Sequence, residues 1–67
     1  MHIAFLGFGL IGGSVARALR ASSDPAWARS RLVAWSPSGD GPARAVVDGV
    51  LDHAAGTARE AVGDADL

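Results

Sequence analysis

Apolar residues along this chain first cluster and then recur at helical spacing. His2-Ile3-Ala4-Phe5-Leu6 is an apolar run rich in strand formers and closed by Gly7. Its continuous rather than alternating character predicts a strand buried on both faces, as strands of a parallel sheet are. From Leu10 to about Ala21 the period changes: Ile11, Val15, Ala18 and Leu19 fall at i, i+4, i+7 and i+8. That spacing is one face of an amphipathic helix of about three turns. Arg17 and Arg20 stand near its end, where cations suit the helix dipole, and both read as solvated, as does Arg59.

Ala21 to Ser30 is loop by composition, although Pro25-Ala26-Trp27-Ala28 behind Asp24 suits one helical turn, with Trp27 as a lid on the sheet edge. Arg31-Leu32-Val33-Ala34-Trp35 predicts a second strand and Ser36 to Gly41 a turn-rich loop. Pro42 then suits the first position of a second helix that Gly49 ends. Val50-Leu51 and the residues after them read as a weak third strand or an extended connector. Thr57-Ala58-Arg59-Glu60 is a capping box opening a short helix through Val62, closed by Gly63. This alternation predicts an α/β fold, a doubly wound parallel sheet of which these residues form the first βαβαβα portion. A helix of about eleven residues and a strand of about five both span roughly 16 Å, so each crossover can return to start a parallel neighbour.

Composition narrows the partners. The chain is 49% apolar with net charge -1 and no cysteine, which describes a globular sequence with neither a disulfide nor a Cys/His zinc cage, so no metal is expected. Six arginines, no lysine and seven carboxylates leave no basic footprint for nucleic acid or an anionic membrane. The longest uncharged stretch, Ile3 to Ala16, is too short for a membrane span and carries four glycines. It also lacks a cationic leader, so a cytoplasmic location is expected. A 67-residue chain without staples gains at most about 3–5 kcal/mol from one core, and a sheet of this kind needs another buried strand after Leu67. The expectation is that residues 1–67 are the N-terminal part of a larger domain in a longer chain.

The junction of the first strand and helix reads Gly7-Phe8-Gly9-Leu10-Ile11-Gly12, a GxGxxG between a strand and a helix. Gly7 permits the sharp turn, Gly9 lets backbone approach a pyrophosphate, and Gly12 lets the helix lie close on the strand. The helix N-terminus offers N–H groups to phosphate, so no lysine is required. The competing reading is a tight βα turn that binds nothing. At the end of the second strand, where Asp or Glu accepts hydrogen bonds from the ribose of NAD, stands Ser36. Ser36 and Ser38 can donate to a 2′-phosphate, which tilts the expected cofactor from NAD toward NADP, although the nearest arginine, Arg44, lies on the next helix; simple turn chemistry is the alternative. Trp35 is expected to pack on the second helix or to line an adenine pocket, and His2 and His53 read as structural or surface residues.

Gly7 to Ser14, GFGLIGGS, together with the small-residue helix Val15-Ala16-Arg17-Ala18-Leu19, resembles the prephenate/arogenate dehydrogenase family. Gly49-Val50-Leu51-Asp52 is similar to that family's G-V-I-D segment, and Glu60 to Leu67 to the lead-in of its fourth strand. The resemblance implies a Rossmann domain and oxidative decarboxylation of prephenate or arogenate in tyrosine biosynthesis by hydride transfer to NAD(P). Gly7, Phe8, Gly9, Leu10, Ile11, Gly12, Ser36 and Ser38 would meet the cofactor. It also implies a homodimer formed through a helical C-terminal domain. The general-base histidine and the substrate-clamping arginines would lie beyond Leu67, so no catalytic residue falls within these residues. Ser36 departs from the Asp of the family's NAD-type members. Another Rossmann reductase, acting on an imino acid or a hydroxyacid, and a non-catalytic nucleotide-sensing module remain open alternatives.

Overall fold

A computed structural model describes residues 1–9 and 12–67 in full, and Leu10 and Ile11 only as members of a helix. The chain runs β1 (His2–Leu6), α1 (Leu10–Arg20), α2 (Pro25–Ala28), β2 (Arg31–Trp35), α3 (Asp40–Val47), β3 (His53–Ala54) and α4 (Ala58–Val62). It is a small α/β domain with a parallel sheet ordered β1-β2-β3. Register pairs His2 with Arg31 and Leu6 with Trp35, so Gly7 and Ser36 leave the sheet side by side. On the other edge of β1, the Leu67 N–H donates to the His2 carbonyl (3.2 Å) and the Leu67 carbonyl accepts from the Ala4 N–H (2.9 Å). Both bonds flank Ile3, the pattern of a parallel pair.

Strand alternation separates the two faces of the sheet. Ile3, Leu32 and Ala34 form one buried cluster with Ala16 of α1, Ala45 of α3, and Val50 and Leu51. Val33, between Leu32 and Ala34, instead faces a groove shared with Ala61 of α4, so α4 lies on the opposite face. No helix among the described residues is long and apolar enough to cross a membrane.

Several elements sit elsewhere than the pattern predicts. The sheet-facing side of α1 is Gly12, Gly13, Ala16, Leu19 and Arg20, while Val15 and Ala18 are exposed. Small residues win that side because they let the helix lie closer to the strands. Val15 and Ala18 line an apolar groove along the edge of β1 that Leu67 meets, beside Phe5 and Trp27. β1 is therefore not buried on both faces: Leu6 is 59% exposed. Helix α3 begins two residues before Pro42, because Gly39 takes φ +78° at its N-cap. Val50 and Leu51 are core residues of a connector, and β3 is only His53–Ala54. The capping box forms on one side, the Thr57 Oγ1 accepting from the Glu60 N–H at 3.0 Å, but the Glu60 carboxylate accepts from Gly56 (3.1 Å) rather than from Thr57.

Arg20 overturns its reading as a solvated cation. Its guanidinium donates to the carbonyls of Val50 (3.0 Å), Ala28 (3.2 Å) and Ser30 (2.7 Å) and to Asp52 Oδ2 at 2.6 Å. Asp52 Oδ2 also accepts from the Leu32 N–H at 2.7 Å, while the Asp52 N–H donates to the Leu32 carbonyl at 2.8 Å. Burial opposes the Asp52 charge, but the Leu32 N–H and Arg20 outweigh it and hold the carboxyl below its ordinary value.

Replacing Arg20 with Met strands three carbonyls and a carboxylate, and we expect a loss of about 2 kcal/mol in thermal or urea unfolding. Arg17→Met, at an exposed position, should change stability by less than about 0.5 kcal/mol. The Asp52 contribution is complete above the unfolded pKa near 3.8 and is lost as pH falls through the lower folded value. Asp52→Asn should therefore destabilise at neutral pH and make the acid loss of stability shallower, which urea melts at several pH values will show.

Candidate functional site

The C-terminal ends of β1 and β2 carry the residues with a chemical signature. Gly7 takes φ +85°, a conformation side chains disfavour, and its N–H donates to the Trp35 carbonyl at 2.7 Å. A Cβ on Gly12 would stand 3.4 Å from Phe8 Cδ1 and 3.5 Å from the Gly7 carbonyl, in ordinary van der Waals contact with the turn. Gly9, the N-cap of α1, differs from both. Its φ is -96°, and among the described residues a Cβ there would meet nothing within 4 Å. Neither backbone conformation nor packing against the described residues asks for glycine at this position, and Ser or Asp would cap the helix better. The first turn of α1 carries no acidic residue, so no carboxylate competes with an anion there.

Phe8 is anchored inward: its ring packs against the core and meets Phe5 edge-on at 5.6 Å. Its main chain, not its ring, is what the loop can present to a ligand. The side chains of Leu10 and Ile11, two further expected cofactor contacts, lie outside the described residues.

Ser36 is half-buried at the end of β2, and its Oγ accepts from the Gly39 N–H at 3.0 Å. Ser38, exposed, accepts from the Asp40 N–H at 3.4 Å. Each hydroxyl thus holds the turn through a lone pair and keeps its own proton to donate. Gly41 then brings this turn against the glycine-rich loop: a Cβ on Gly41 would stand 2.9 Å from the Phe8 carbonyl. Sequence gives no cue to this contact, since Gly41 reads there as one more turn residue.

A groove of about 280 Å³ runs between α1 and α3, lined by Gly9, Gly13, Arg17, Gly41, Arg44 and Asp48 among others. Arg17 and Arg44 approach Asp48 Oδ2 only to 3.9 and 4.0 Å. Asp40, exposed in the first turn of α3, is the first carboxylate along the chain after β2. Its position four residues past Ser36 was the available signal for it.

The histidines sit apart from this loop. His2 starts β1 at the opposite end, with its N–H donated to Asp66 Oδ2 at 2.8 Å. His53 Nε2 lies 2.7 Å from Glu60 Oε1, a partner that sequence spacing did not suggest. The His53 hydrogen bond, and after it the Gly56 N–H, lower the Glu60 carboxyl below its ordinary value. Among the described residues no group of three His, Cys, Asp or Glu is placed to hold a metal ion. Trp35 is half-buried beside Ser36.

No family model, no curated protein and no solved structure matches this chain.

The glycines should separate under substitution. Gly41→Ala forces the start of α3 away from Phe8 and should cost about 1–2 kcal/mol of unfolding free energy. Gly9→Ala meets no atom of the described residues and should leave stability within about 0.5 kcal/mol of the parent, read by urea melts of both variants.

Proposed function

We propose that this chain is the cofactor-placing part of an NAD(P)-dependent dehydrogenase with a doubly wound Rossmann fold. From the family resemblance of residues 7–19, 49–52 and 60–67, we propose that its substrate is prephenate or arogenate. The observation that carries the binding proposal is Gly9, a glycine at the N-terminus of α1 with an ordinary φ and, among the described residues, nothing within 4 Å of where a Cβ would be. An approaching pyrophosphate explains that vacancy, because its oxygens must come within hydrogen-bond reach of main-chain N–H groups.

The surroundings support the same assignment. β2 lies on one edge of β1 and Leu67 on the other, so the loop opens above a strand with neighbours on both sides. Ligands of open α/β sheets bind at such carboxyl ends, where the direction of winding reverses. Residues 7–12 would hold the pyrophosphate through backbone N–H groups, and Ser36 and Ser38 would donate to the adenosine ribose or its phosphate. The bound dinucleotide supplies hydride acceptance, while this chain orients it and surrounds its phosphates with positive dipole. The general base and the substrate clamp would be supplied by residues outside 1–67.

Titration with NAD+ and NADP+, followed by tryptophan fluorescence because Trp35 adjoins Ser36, should show saturable binding of at least one. Gly9→Ala should weaken it by about tenfold or more with an unchanged melting curve. Undiminished binding by Gly9→Ala, or no binding of either dinucleotide, removes the proposal. Turnover of neither prephenate nor arogenate by the full-length protein would remove the substrate assignment alone.

A further inference from the structure

The end of the sheet opposite the glycine-rich loop carries a second groove, of about 180 Å³, on the α4 face. His2 opens β1 and Arg31 opens β2, and register sets them side by side; two residues on, it sets Val33 beside His53 of β3. Register partners in a parallel sheet project from the same face. One basic side chain from each strand therefore lines this groove, together with the carboxylates of Glu60 and Asp64 and an apolar lining that includes Val33 and the buried Ala61.

These charges are not used alike. His53 Nε2 lies 2.7 Å from Glu60 Oε1, and Glu60 Oε2 accepts from the Gly56 N–H at 3.1 Å, so that pair is closed on itself. Arg31 and Asp64 differ. Among the described residues neither side chain makes a hydrogen bond or an ion pair, although both line the same groove, and the His2 ring is likewise unbonded. Arg31 attracts Asp52 only at a distance, and Asp52 is already held by Arg20 and the Leu32 N–H.

The main chain keeps the two unpaired charges apart. The Arg31 N–H donates to the Met1 carbonyl at 2.9 Å, which fixes the β2 wall. On the other side the Ala65 N–H donates to the Val62 carbonyl at 3.1 Å, and Asp66 is bound twice to His2, its N–H to the carbonyl at 2.7 Å and its Oδ2 to the N–H at 2.8 Å. A guanidinium and a carboxylate thus stand on separately pinned walls of one groove, each with its bonding capacity unspent.

We propose that this groove binds a small zwitterion of the α-amino acid class, by a site distinct from the glycine-rich loop and independent of dinucleotide binding. Arg31 takes the carboxylate in its planar fork, with the His2 ring as a neighbouring donor, and Asp64 accepts from the ammonium. Val33 and Ala61 receive the aliphatic part. A plain anion would face the Asp64 charge and a plain cation the Arg31 charge, so a ligand carrying both signs is the one matched at both walls. The volume lies below the roughly 300–1,000 Å³ of pockets for drug-sized ligands, which restricts the side chain to a few carbons.

The test is an amide NMR titration of the full chain with L-alanine, L-valine, propionate and ethylamine at matched ionic strength. At least one of the two amino acids should shift the Arg31, His53 and Asp64 signals saturably, with a Kd of about 1 mM, and leave Gly7 and Gly9 unmoved. Propionate and ethylamine, each lacking one charge, should bind about tenfold more weakly or worse. Arg31→Gln and Asp64→Asn should each weaken the amino acid by about tenfold, with melting curves unchanged because neither side chain has a partner to lose. Propionate or ethylamine binding as tightly as the amino acids, binding that survives both substitutions, or no saturation by either amino acid at about 50 mM overturns the proposal.

Discussion

The bonds of Arg20 and Asp52 are the constraint on which this small sheet depends. Five-residue strands and a two-residue third strand cannot define their own register through a few ladder hydrogen bonds. One guanidinium reaches the end of α2, the start of β2 and the approach to β3, and the carboxylate it holds accepts from the first buried N–H of β2. Fixing these segments at one end of the sheet sets which residues emerge together at the other end. Gly7 and Ser36 become neighbours there because His2 and Arg31 were paired five residues earlier.

Close approach by small residues then builds the site. Gly12, Gly13 and Ala16 turn the narrow side of α1 to the sheet, and Gly41 allows the first turn of α3 to touch the Phe8 carbonyl. The larger residues pushed off the sheet-facing side have separate consequences. Val15 and Ala18 line an apolar groove along the β1 edge that Leu67 meets, and Arg17 is turned toward α3. The same displacement therefore gives the domain an apolar flank on one side of α1 and a cationic one on the other.

Glycine positions in the loop differ in what they do for the protein. Gly7 serves its turn, while a Cβ on Gly12 would lie in ordinary contact with Phe8 and the Gly7 carbonyl. Gly9 takes an ordinary φ, and among the described residues a Cβ on it would meet nothing within 4 Å. Sequence presents the three as one motif, because spacing carries no record of which Cβ would collide. Serines 36 and 38 are alike in this respect: their residue type was legible, but their use as turn acceptors with protons left to donate follows from where Gly39 and Asp40 place their N–H groups.

Sequence alone determined the α/β alternation, the extent of β1 and β2, the caps of α2 and α4 and the strand-turn-helix setting of the GxGxxG loop, because each depends on contacts within a few residues or on simple periodicity. Tertiary structure decided which side of α1 meets the sheet, that Val50 and Leu51 are core rather than strand, and that Arg20 is a structural staple while Arg17 and Arg44 stay exposed beside Asp48. Those outcomes depend on residues distant in sequence, as the reach of Arg20 to Val50 and Asp52 and of Gly41 to Phe8 shows. An arginine looks the same in sequence whether its partners are carbonyls folded around it or solvent, and only the packed chain tells them apart.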